Sequence, residues 1–127
     1  SWIKKYKEQI KSVVICQGVS SIGKYAFWKC TGLESVVLPN SVTSIGKSAF
    51  SNCEELISIS IPDSVEYIGD RAFFLNNALT LITIPRSVAS IGAFVFDGCS
   101  NLKTVSIPEG LEYPSNAFPE EAAINKY

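Results

Sequence analysis

The stretch from Ser35 to Leu56 reads SVVLPNSVTSIGKSAFSNCEEL, and sliding along the chain by 23 residues meets the same pattern again. Prolines recur at Pro39, Pro62, Pro85 and Pro108, and glycines at Gly23, Gly46, Gly69 and Gly92. Phenylalanines fall at Phe27, Phe50, Phe73 and Phe96, and leucines at Leu33, Leu56, Leu79 and Leu102. A fixed period of this length predicts a solenoid in which each unit stacks on the one before it. One unit alone cannot bury enough apolar surface to offset the backbone entropy of ordering it, so stability must come from the interfaces between units.

Within a unit the alternation at Val36 and Leu38 has period two and β-branched content, which predicts a short strand with one buried face. Its counterparts are residues 13–15, 59–61, 82–84 and 105–107. All run the same way through equivalent connections, so they pair in parallel, and such crossovers are right-handed. Proline follows each strand and, lacking an N–H, ends it. Val42 and Ile45 then turn the coil with a second short extended piece. Gly46 is expected to reverse the chain with positive φ, and residues 47–53 to form a tight helical turn that carries Ala49 and Phe50 inward. The fold class is thus an α/β, β-rich repeat solenoid: a right-handed coil with a parallel concave sheet, and short helical turns or extended pieces on the convex side.

With 127 residues, 46% apolar and 18% charged, the composition builds a core rather than a disordered chain. The formal net charge is −1. Read as scattered charges of both signs, it directs the chain toward neither nucleic acid nor an anionic membrane. No apolar run approaches the roughly 18 residues of a spanning helix, so membrane insertion is not expected. No signal peptide is visible and methionine is absent, so the chain reads as a segment of a longer protein.

Catalytic chemistry finds little to work with. Histidine is absent, which removes Ser-His and Cys-His catalysis and histidine-ligated metals. The pairs Glu54-Glu55 and Glu120-Glu121 read as solvated faces. Gly18-Val-Ser-Ser-Ile-Gly23-Lys24-Tyr25 and Ser41-Val-Thr-Ser-Ile-Gly46-Lys47-Ser48 nearly spell a phosphate-binding loop. The first lacks the final hydroxyl and the second the leading glycine, and the repeat itself explains the shared Ile-Gly. Cys30, Cys53 and Cys99 share one position with Asn76. Stacking sets equivalent residues about 4.8 Å apart with parallel Cβ vectors, a poor geometry for a disulfide. They read as buried free thiols rather than metal ligands. No catalytic residue, cofactor or metal is expected.

Surface is what remains. The pleat turns three columns outward along the strands: Lys11, Glu34, Ile57, Thr80 and Lys103; then Ser12, Ser35, Ser58, Leu81 and Thr104; then Val14, Val37, Ser60, Thr83 and Ser106. This face is hydroxyl-rich and weakly charged, with Val37, Ile57 and Leu81 as apolar points. A flat face of this kind suits a protein or glycan partner better than a small molecule. A second candidate patch holds Phe74 and Leu75, with Phe94 nearby. Trp28 shares the position of Phe74 and is expected instead to pack on Trp2 and Tyr6.

The pattern L-x-x-V-x-L-P-x-S-V-x-x-I-G-x-x-A-F-x-x-C resembles the BspA-like, or Treponema-type, class of leucine-rich repeats, from about Ile10 to Phe118. The resemblance implies a bacterial or protist protein, extracellular or at the cell surface, that works in adhesion and protein binding. Its partner would be a host surface or matrix protein, or a glycan. The competing expectation is a structural spacer, or a segment that self-associates through its open solenoid ends. Three parts are expected: residues 1–9 as an N-terminal cap, residues 10–118 as about five repeats, and residues 119–127 as a C-terminal cap or the start of a truncated repeat. Residues 119–123 resemble a helix start, and Ile124-x-x-Tyr127 falls where the Leu-x-x-Val of a further strand begins.

Overall fold

A computed structural model describes residues 2–127, with side chains described from Lys5 onward. A short helix, α1 (Trp2–Gln9), leads into nine strands: β1 (Ser12–Val14), β2 (Ser21–Ile22), β3 (Ser35–Val37), β4 (Ser44–Ile45), β5 (Tyr67–Ile68), β6 (Leu81–Thr83), β7 (Ser90–Ile91), β8 (Thr104–Ile107) and β9 (Ala123–Lys126). Every pairing is parallel. The 23-residue period is the register itself, with Val13 opposite Val36, Ile22 opposite Ile45, and Ile82 opposite Val105. The result is the β-rich parallel solenoid that the period predicts. Its coils are numbered here by the phenylalanine each contributes: Phe27, Phe50, Phe73, Phe96 and Phe118.

Those five rings form the spine. Neighbouring centroids lie 5.3, 5.5, 5.2 and 5.5 Å apart, and no pair is tilted by more than 12°. Around them the leucine column (Leu33, Leu56, Leu79, Leu102) and the inward strand residues Ile59, Ile82 and Val105 are buried. A second parallel sheet, β2-β4-β5-β7, holds the four central Ile residues of the Ile-Gly pairs against this core.

The convex side differs from the expected helical turn. Residues 47–53 contain no helix; they run as overlapping β-turns. Ser48 and Asn52 take positive φ (54° and 61°), as do Tyr25 and Lys29, Arg71 and Leu75, and Phe94 and Gly98 in the other coils. The reason is backbone satisfaction. The N–H groups of Ser48, Phe50 and Asn52 donate to Asp70, Ala72 and Phe74 of the next coil at 3.0, 2.8 and 2.8 Å. Those of Ala49 and Ser51 close turns within their own coil, on Gly46 and Ser48. A helix would spend all these donors internally and leave the coils unlinked. The left-handed residues, each costing about 1–2 kcal/mol, let alternate donors point along the array.

The expected positive φ at Gly46 is likewise corrected, since left-handed backbone occurs two residues later, at Ser48. Gly46 is needed for proximity. A Cβ there would lie 2.9 Å from both the Ile22 carbonyl oxygen and the Lys24 nitrogen. Gly23, with no coil beneath it, has nothing within 4 Å.

Both ends depart from the repeat. The last turn of α1 abuts Gly32, where a side chain would strike the Glu8 carbonyl, and the Lys7 ammonium donates to the Trp28 carbonyl at 2.8 Å. At the other end, residues 119–122 make a turn rather than starting a helix. The chain then enters β9 earlier than expected, so that Ile124 sits opposite Val105 and not in the leucine position.

The strand sheet is interrupted in the middle. Residues 59–61, expected as a strand, form none, although Ile59 and Ile61 stay buried. Among the described residues no backbone hydrogen bond joins residues 57–61 to β3 or to β6, and the sheet divides into β1-β3 and β6-β8-β9. Across the same coil the second sheet, the convex ladder and the phenylalanine stack continue unbroken.

Charge is also ordered along the axis, which corrects the reading of scattered signs. Residues 1–47 hold seven lysines against two glutamates, and residues 48–127 hold four basic against ten acidic residues. Stacking turns this sequence asymmetry into a basic end and an acidic end.

Phe50→Ala is expected to cost about 3–5 kcal/mol in chemical denaturation, with loss of protection spreading to the coils on both sides. In native hydrogen exchange, the amides of residues 57–61 should exchange much faster than those of 105–107; equal protection would mean that the sheet is closed.

Candidate binding face

The outward strand positions are where the pleat places them. Lys11, Glu34, Ile57, Thr80 and Lys103 are exposed, as are Ser58, Ser60 and Thr83, while Thr104 and Ser106 are half-buried. The apolar points stand out from the sheet: Val37 is 57% exposed, Ile57 59% and Leu81 57%. Val14, in the same column as Val37, is the most exposed of the set at 71%. These residues therefore share one face, anchored by the buried residues that alternate with them.

Shallow clefts lie on this face to either side of residues 57–61, which pair with neither neighbouring strand. One, of about 410 Å³, lies between Val37 and Ser60, with Asn40 and Asp63 at its end. The other, of about 370 Å³, lies between Ser58 and Leu81 and is closed at one end by Tyr127. The Tyr127 hydroxyl donates to the Ile84 carbonyl at 2.5 Å, and the Arg86 guanidinium sits 4.5 Å from its ring centre. Asn40, Asp63 and Tyr127 were not among the expected site residues. Their sequence positions give no signal, since Asn40 and Asp63 simply follow the strand-ending prolines and Tyr127 lies beyond the regular repeats.

Phe74 and Leu75 do not join this face. They belong to the convex turns, and each has a local partner. The Arg71 guanidinium lies 5.9 Å from the Phe74 ring centre and 4.8 Å from that of Phe94, a cation–π arrangement. The Leu75 side chain covers Gly98, where a Cβ would strike it. Trp28 makes an edge-on contact with Tyr25 at 5.9 Å and carries the ammonium groups of Lys7 and Lys29 at 5.3 and 4.5 Å from its ring centre. The expected packing on Trp2 falls outside the described side chains.

The thiol column is inert packing. Cys30, Cys53 and Cys99 are buried and free. The Cys53 and Cys99 thiols point at the Phe27 and Phe73 carbonyls at 3.3 and 3.1 Å. Burial pushes both thiols up to about 12 and also raises Cys30. Asn76 keeps its place in the column by accepting the Cys53 N–H at 2.9 Å through its side-chain oxygen. Among the described residues, no three His, Cys, Asp or Glu side chains converge on a metal position, and no helix is long and apolar enough to cross a membrane.

Comparison with known proteins agrees with this geometry. A family model described as a BspA type leucine rich repeat region matches residues 5–125 in six copies. A leucine-rich repeat protein from Bacteroides ovatus superposes with a TM-score of 0.89 at 36% identity, over 94% of this chain and 31% of its own. A leucine-rich repeat protein from Eubacterium ventriosum gives 0.85 at 27%, over 97% of this chain and 33% of its own. The pneumococcal vaccine antigen PcpA gives 0.79 at 25%, over 92% and 31%. The chain thus spans about a third of the length of these structures. Among curated proteins none matches the sequence significantly.

A native chain should take up one equivalent of thiol reagent at neutral pH, at exposed Cys16, and four after unfolding. The raised thiols also set an alkaline limit. Their contribution to stability is complete below the ordinary thiol value of 9.0 and is lost as pH rises toward about 12. A denaturation midpoint that stays constant from pH 9 to 12 would contradict this burial.

Proposed function

The chain belongs to the family of BspA-type leucine-rich repeat regions, and from that premise we propose that it is a non-enzymatic binding module of a secreted or cell-surface adhesin. The observation that carries the reading is the strand face. Three outward columns run across consecutive coils, solvent-facing, with Val14, Val37, Ile57 and Leu81 projecting from a bed of serine and threonine. Isolated apolar side chains on a polar surface are ordinary, but four on one preformed face make a partner-sized contact. Lys11, Glu34 and Lys103 form a charged margin beside them, with Thr80 as a neutral polar member.

The partner class is protein, such as a host surface or matrix component, with a glycan as the second choice. Shallow clefts beside residues 57–61 accept side chains or hydroxyl groups more readily than they enclose a small molecule. The surface location follows the family and the likeness to a pneumococcal vaccine antigen. The competing reading is a spacer, in which serine and threonine simply suit a crowded parallel sheet.

Capture of extracellular matrix and surface proteins on immobilised protein tests the reading, with Ile57→Asp and Leu81→Asp as paired variants. Each exchange is expected to weaken capture by tenfold or more while leaving the thermal midpoint within a few degrees, because both side chains are exposed. Capture indifferent to both would exclude this face, and no capture at all would favour the spacer.

A further inference from the structure

We propose that the convex face is a self-complementary surface through which two copies associate side by side and antiparallel. Its parts come from the turn columns. Coils one and two present Lys24, Lys29 and Lys47, and coils four and five present Asp97 and Glu121. Between the two sets lies Phe74, half-buried against Arg71 and close to Phe94. The strip thus reads basic, apolar, acidic along one side of the array.

An order of that kind is matched by its own reverse. A two-fold axis across the array, at the third coil, sets coil one against the partner's coil five, coil two against its coil four, and coil three against its counterpart. Each lysine-bearing turn then faces a turn bearing Asp97 or Glu121, twice over, with the two Phe74 regions at the centre. This is the isologous arrangement, which closes at two copies. Charge segregation supplies the attraction. Among the described residues no carboxylate pairs with Lys24, Lys29 or Lys47, and Trp28 instead holds the Lys29 ammonium over its ring. Ser51 and Asp97 occupy the position of Phe74 in neighbouring coils, so the solenoid itself does not require an aromatic residue there. A standard interface needs about 800 Å² per partner, about an eighth of the 6712 Å² surface.

This surface lies across the core from the strand face, so the two proposals stand or fall separately. Ile57→Asp and Leu81→Asp should leave the association unchanged.

Sedimentation of the whole chain over a range of concentrations, in about 0.05 M and about 0.5 M salt, is the test. The expected result is a monomer–dimer equilibrium that stops at two copies and weakens about tenfold or more in the higher salt. Lys24→Glu/Lys47→Glu and Asp97→Lys/Glu121→Lys should each be monomeric alone, and their equimolar mixture should form a dimer again, which also shows that both remain folded. Phe74→Ser should lose the dimer with unchanged circular dichroism. A chain that is monomeric in every condition, or that grows beyond two copies, overturns the proposal. So do folded charge variants that fail to recover one another, or that associate as the unaltered chain does.

Discussion

One translation has to serve every part of a coil at once. The backbone ladder, the close approach of Gly46, Gly69 and Gly92 to the preceding coil and the phenylalanine stack all repeat along the same axis, and the ring spacing of 5.2–5.5 Å is the common step. At that step each side chain lies directly over its counterpart. Apolar residues benefit, because a phenylalanine over a phenylalanine leaves no gap. Hydroxyls tolerate it, and like charges oppose it. The outward strand column accordingly passes from Lys11 to Glu34 to neutral Ile57 and Thr80 before charge returns at Lys103. The interior repeats because stacking requires it, and the surface varies because stacking forbids too much sameness.

The residues that stack were the legible ones. Period, the strand positions other than 59–61, parallel register, phenylalanine spine and free thiols all follow from columns of identical residues, and the family resemblance rested on the same columns. The conformation of the turns was not legible. Whether Ser48 or Gly46 carries the positive φ depends on which donors must point to the next coil, a constraint set by the stacked neighbour rather than by local preference. Residues 119–123 misled in the same way, since their proline and acids suit a helix start while pairing with β8 draws the chain into a strand. The outward face was readable by pleat, but its clefts were not, because the third unit has an ordinary sequence and an unpaired backbone. The axial charge order was present in the sequence throughout. It gains meaning only once sequence position becomes height.

Departures from the repeat separate into two kinds. Some are repairs: Asn76 replaces a thiol and reaches across to the Cys53 amide, and Leu75 covers the glycine of the next coil. Others, such as Ile57, Leu81 and Val14, satisfy no internal requirement, as their exposure shows. Phe74 stands between the two, partly occupied by Arg71 and partly free.

The gap around residues 57–61 gives the array a mechanical character. One side is laced by strand pairing in two blocks, while the opposite side is laced throughout. Such a body has a preferred bending line: its curvature changes about the third coil, where the concave lacing is missing and the convex lacing serves as the hinge. Adjustment to a rounder or flatter object would then require no loss of core contacts, and tension along the axis would be met by flexing before any coil came apart.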